Sequence, residues 1–201
     1  MRLFLYERGC IKESLQTVVS IDPGVKTTGV AILDKGKASI EMLAYEWGEI
    51  NASKTYLPLL ILFMRDKIRE IVSDKISGIK GSVECVVEFP HITGEFSVGM
   101  SVSCTLWLEE LFKSKNVVRV TFIQNKIPEF FLKKRSVTPL ETVYFARDVL
   151  PMFVPEVPLA THAYDALLYL LFVHFDWFKA YIRDGAVREP HPELVKLNWV
   201  K

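Results

Sequence analysis

The chain has 201 residues, 50% hydrophobic and 24% charged, with 10 glycines and 10 prolines. This is the profile of a folded protein long enough to bury a full core, and it excludes a low-complexity or disordered chain. Twenty-five basic residues against 24 acidic leave a net charge of +1, a balance that neither announces nor excludes a nucleic-acid partner, because binding depends on where the charges lie.

Cys10, Cys85 and Cys104 are an odd number with no CxxC pair. They speak against a disulfide framework or a zinc site and for a reducing, intracellular compartment. Glu7 and Arg8 interrupt the apolar opening, so it does not read as a signal peptide. The longest apolar run, Ala166–Val173, has eight residues, whereas a membrane span needs about 18 or more. One domain is expected, with a core over Thr17–Phe178 and extensions at residues 1–16 and 179–201.

In chain order, Thr17–Asp22 reads as a buried strand that ends on an acid, and Pro23-Gly24 turns the chain directly behind it. Gly29–Leu33 is a second strand, Asp34–Lys37 a turn, and Ala38–Trp47 a third strand. Short turns between three successive strands predict an antiparallel meander. Asn51–Ser53 offers a helix start with Pro58 in the first turns; Leu60, Met64, Ile68, Ile71 and Val72 then recur at helical spacing until Ser77-Gly78. Val83–Phe89 is a short β-rich strand ending in Glu88-Phe89, and Ser97–Lys113 a second helix after a loop at Thr93-Gly94. Val117–Ile123 is a further strand, and Asn125–Thr138 a polar, basic connection. Pro139 opens a helix to Leu150, and Thr161–Phe178 is a last core helix. The predicted class is α/β, with a mixed five-stranded sheet: the meander antiparallel, the later strands parallel after helix crossovers.

Asp22 and Glu88 stand at the ends of apolar strands. His162 and Asp165 open the last helix, and their i, i+3 spacing places them on one face. Taken singly, each has an ordinary reading: Asp before Pro-Gly is a turn former, Glu88 a solvated strand end, Asp165 a residue favoured near a helix start, His162 an ordinary histidine. Taken together, clustered carboxylates at apolar element ends need a positive offset, which a hard divalent cation supplies. The spacing by itself reaches no further than a metal-dependent hydrolase.

At these residues the chain resembles the RuvC-like Holliday junction resolvases of the RNase H-like superfamily. "SIDPGVKTTGVAIL" is similar to the family's first motif, "ECVVEFP" to its second, and "HAYDALLYLLF" to its last. The resemblance covers about Thr17–Phe178. It implies an RNase H-like fold and a Mg²⁺-dependent endonuclease, with Mn²⁺ a substitute, that cuts four-way junctions by paired nicks. Asp22 would bridge two ions, Glu88 would bind one, and Asp165 and His162 would hold the other, with His162 where many relatives have a second Asp. It also implies a homodimer built on the Ser97–Lys113 helix, where Ser97, Gly99, Ser101, Ser103 and Cys104 are small.

Departures from the family pattern bear on substrate. An aromatic expected soon after the catalytic Glu has Phe89 and His91 as candidates, and the basic stretch before the penultimate helix is represented by Lys126, Lys133, Lys134 and Arg135, which suit phosphate contacts. Two other readings remain open: an RNase H-like nuclease acting on RNA or on flap and three-way branches, and a non-catalytic nucleic-acid-binding module. The presence of Asp22, Glu88 and Asp165 argues against the second.

Overall fold

The computed structural model describes residues 3–8, 15–47, 57–89, 96–123, 127–156 and 159–181. Among them, six strands form one sheet: β1 (Leu3–Glu7), β2 (Thr17–Pro23), β3 (Thr27–Asp34), β4 (Ser39–Glu46), β5 (Val83–Glu88) and β6 (Val117–Ile123). Their order is β1-β6-β5-β2-β3-β4. The expected meander is present, with β2, β3 and β4 successively antiparallel. β5 lies parallel to both β2 and β6, as the crossover lengths require.

The sheet has six strands rather than five. Residues of the expected N-terminal extension form β1, antiparallel to β6, with Glu7 opposite Arg119. The Arg119 guanidinium grips the Glu7 carboxylate, Nε at 2.8 Å and Nη2 at 2.7 Å. This strand was hidden because it is short and its partner lies more than a hundred residues away.

Helices cover both faces, which is why the central strands read as almost continuous apolar runs. On one face lie α1 (Leu57–Ile71), which runs on into a π-helical turn at Val72–Ile76, and α2 (Phe96–Lys113). On the other lie α3 (Ile127–Leu132), α4 (Pro139–Val149), α5 (Thr161–Val173) and α6 (Phe175–Tyr181). Two expectations change here. The basic connection Asn125–Thr138 contains α3, seated by the buried Ile127 and Phe131. The last helix is broken at His174, whose backbone leaves helical geometry (φ −113°, ψ 32°) as its ring turns inward, 3.3 Å from Glu84. The predicted start at Asn51–Ser53, the loop at Thr93-Gly94, Cys10 and the tail from residue 182 lie outside the described residues. No helix among the described residues is long and apolar enough to cross a membrane.

Strand parity decides where each acid points. Val19 and Ile21 of β2, with Cys85 and Val87 of β5, belong to the core under α1 and α2. Val18 and Val86 belong to the core under α5. Asp22 and Glu88, an even number of residues on, therefore face α5. That helix has eight buried residues, six of them from Ala166 to Leu171 in one unbroken stretch, and each large apolar side chain so buried contributes about 1.5–3 kcal/mol.

On the opposite face α1 is locked to α2 through Glu110. Its side chain is 2% exposed and accepts two hydrogen bonds from Arg69, at 2.8 and 3.1 Å, and one from Lys113 at 2.8 Å. The Arg69 bonds, reinforced by Lys113, hold its carboxyl down to about 2, against an ordinary 4.5. The folded chain thus binds this proton more weakly than the unfolded chain. The group's stabilisation is full above about 4.5 and is lost as pH falls toward 2. Glu110→Gln is expected to cost about 1–2 kcal/mol at pH 7 and to flatten the stability profile between pH 5 and 2, read by urea denaturation. An unchanged midpoint at pH 7 would show that the lock contributes nothing.

Candidate metal centre

Asp22 is 2% exposed at the end of β2, and Glu88 is half-buried at the end of the neighbouring parallel strand β5. The first turns of α5 cross these ends and bring His162 and Asp165 down on them. Nδ1 of His162 lies 2.5 Å from Oδ2 of Asp22, a close hydrogen-bonding distance. Ligand atoms of Asp22, His162 and Asp165 all lie within 4.8 Å of one another. Glu88 is hydrogen-bonded to Asp22 and repels Asp165. The four residues singled out in the sequence thus converge.

The glycines of the first motif make this approach possible. A Cβ on Gly29 would sit 1.9 Å from the His162 carbonyl oxygen, and one on Gly24 would sit 2.8 Å from the His162 ring. The turn behind Asp22 is held from below: the Trp47 indole donates to Thr28 Oγ1 at 2.7 Å, and that hydroxyl donates to the Gly24 carbonyl at 3.3 Å.

The electrostatics are those of a site short of positive charge. Burial pushes the Asp22 carboxyl up and Asp165 adds repulsion, while hydrogen bonds from its neighbours oppose the rise. Burial also pushes Asp165 up; the His162 charge opposes this, and Glu88 and Glu129 add to it. Carboxylates packed this closely and removed from water favour any cation that joins them. The donor set, three carboxylates and an imidazole, fits a hard divalent ion such as Mg²⁺ or Mn²⁺.

The cleft over these groups holds about 300 Å³ and is walled by Pro128, Glu129, Val137, Pro139, Thr142 and Tyr169. Three of its polar groups were not anticipated. Tyr169 lies one helical turn beyond Asp165, a same-face spacing that was legible. Thr142 of α4, hydrogen-bonded to Asp165, and Glu129 of α3 carried no sequence signal, since only the tertiary fold brings them there.

The nucleic-acid candidates are scattered. Phe89 is half-buried, edge-on to Phe122 with ring centroids 6.0 Å apart. Lys133, Lys134 and Arg135 are exposed in the turn between α3 and α4, between cleft-lining Glu129 and Val137. Lys134 is paired with Glu141 of the α4 capping box. His91 and Lys126 lie outside the described residues. The small-residue stripe of α2 divides: Ser103 and Cys104 are buried, Ser101 is exposed, and the side chains of Ser97 and Gly99 are outside the described set.

No protein-family model and no curated sequence matches the chain. Among solved structures it is similar to Thermus thermophilus RuvC in complex with a Holliday junction substrate, at TM-score 0.47 and 18% identity over 85% of this chain and 96% of that one. It is similar to a second structure of Thermus thermophilus RuvC, at 0.45 and 16% over 84% and 96%. It is also similar to YeaZ from Pseudomonas aeruginosa, at 0.36 and 12% over 82% and 93%. Likenesses this distant assign no activity.

Proposed function

We propose that the protein is a Mg²⁺-dependent, structure-selective DNA endonuclease of RNase H-like type that resolves four-way junctions by paired nicks. The observation that carries the chemistry is the convergence of Asp22, Glu88, His162 and Asp165 in one cleft, three of them with ligand atoms within 4.8 Å. The preference for a junction rests on the three motifs, "SIDPGVKTTGVAIL", "ECVVEFP" and "HAYDALLYLLF".

In this reading Asp22, Glu88 and Asp165 hold the cation, with His162 as the fourth donor. When bound, a pair of such ions supplies an activated water and stabilises the leaving 3′ oxygen. The His162 side chain is 38% exposed, so its ring is reachable from the cleft. Pro128, Val137 and Pro139 give the cleft apolar walls, and the basic turn at Lys133–Arg135 faces the phosphate backbone. Phosphate contacts of this kind dominate affinity and weaken it as salt rises. Two nicks need two sites, so the enzyme acts as a homodimer. The exposed Leu59, Leu62 and Val102 on α1 and α2 offer apolar surface for a second copy, and light scattering should give twice the chain mass.

The test is cleavage of labelled four-way junction, flap, linear duplex, single strand and RNA–DNA hybrid, each with Mg²⁺ or EDTA. Symmetric nicks in the junction alone are expected. Cleavage of the hybrid or of a flap in preference would select the related nuclease reading. No Mg²⁺-dependent cleavage of any substrate would leave only the non-catalytic module.

A further inference from the structure

We infer that Tyr169 is a positioning residue of the metal centre: its buried hydroxyl sits against Asp22 and Glu88 at the cleft wall and fixes the orientation of their carboxylates. The inference rests on the metal-centre reading above and deepens it.

Tyr169 is 2% exposed and its hydroxyl lies 3.5 Å from Oδ1 of Asp22, whereas His162 meets Oδ2. The same hydroxyl is hydrogen-bonded to Glu88. Each oxygen of Asp22 therefore faces a different neighbour, and Tyr169 stands against both strand-end acids. A buried phenol needs a partner. Its partners are carboxylates, which when ionised can only accept, so the phenol donates its single proton, shared between Asp22 and Glu88.

Packing does not ask for this hydroxyl. The ring belongs to the apolar core under α5, and phenylalanine would fill the same space. Tyr164, buried on the same helix, directs its hydroxyl elsewhere, 3.4 Å from the Leu159 amide and 3.5 Å from Arg147 Nη2. Contact with the strand-end acids is thus particular to position 169. A carboxylate ligand that can rotate presents its lone pairs poorly; a donor on one of its oxygens fixes it, and removal of such a donor typically costs 10–100-fold in metal affinity.

The experiment titrates Mn²⁺ into wild type, Tyr169→Phe and Tyr164→Phe, reading free Mn²⁺ by electron paramagnetic resonance. Melting curves in EDTA check that each variant is folded. Tyr169→Phe should raise the Mn²⁺ dissociation constant about 10–100-fold, and Tyr164→Phe should match wild type. In cleavage, the Mn²⁺ concentration for half-maximal rate should rise by the same factor, while the rate at saturating Mn²⁺ changes far less. Wild-type Mn²⁺ affinity in Tyr169→Phe would overturn the role of Tyr169 and leave the metal centre standing. A wild-type chain that binds no Mn²⁺ would overturn both.

Discussion

Asp165→Asn should abolish Mg²⁺-dependent cleavage, leave junction binding in EDTA largely intact, and make the metal-free protein more stable. Asparagine keeps the shape and can still accept from Thr142, so the change removes little but charge. Chemically, a ligand carboxylate is lost, and the rate should fall by on the order of 10³-fold or more, the scale of removing a main transition-state charge stabiliser. Energetically, Asp165 is a carboxylate pushed up by burial and by repulsion from Glu88 and Glu129. Deleting that charge should add about 1–2 kcal/mol in EDTA, which at this chain length is a few degrees in Tm. Wild type should instead be stabilised by added Mg²⁺, by about 2.7 kcal/mol at a hundredfold excess over Kd, and the variant should lose most of that gain. The opposed signs separate a functional cluster from an ordinary structural acid. A variant that cuts normally, or that melts below wild type in EDTA, would remove Asp165 from the site.

Among the described glycines, Gly29→Ala should be the most damaging replacement by alanine. Gly29 lies opposite Asp22 across β2 and β3. Its added Cβ would meet backbone, the His162 carbonyl oxygen at 1.9 Å, its carbon at 2.0 Å and the Ala163 amide at 2.4 Å. Backbone cannot rotate away as a side-chain tip can, so α5 must lift from the sheet. Because α5 carries much of the core beneath it, the cost should be about 3–5 kcal/mol, or roughly 10 °C or more in Tm. Whatever still folds should bind divalent metal poorly, since His162 and Asp165 move with the helix. Gly78→Ala is the control: a Cβ there has nothing within 4 Å, and its effect should stay within about 0.5 kcal/mol. Equal melting of the two variants would mean that α5 is not seated on Gly29.

Much of this was legible because it is local. The meander showed in three apolar runs separated by short turns, and the two-sided burial of β5 showed in "VECVVE". Asp22, Glu88 and Asp165 were visible because an acid at the end of a buried strand, or in the first turns of a buried helix, conflicts with its surroundings, and His162 because it stands three residues before Asp165 on one helix face. Apart from Tyr169, the missed features depend on pairing across long sequence distances. β1 exists because Arg119 and β6 receive it. α3 forms where Ile127 and Phe131 find the core beneath α5, within a stretch whose composition reads as a loop. The break at His174 follows from a buried carboxylate, Glu84, that also accepts from Thr121 at 3.1 Å.

The sequence by itself determined the alternation of strands and helices and singled out Asp22, Glu88, His162 and Asp165 as acids and a histidine at element ends. Those follow from periodicity and from the cost of burying charge, which act along the chain. Only the tertiary structure decided that α5 crosses the strand ends closely enough to place His162 against Asp22. It also decided that Thr142 and Glu129 join the cleft and that a sixth strand extends the sheet at its β6 edge. Those depend on which surfaces pack together, and packing is set by shape and volume between elements that the order of residues does not reveal.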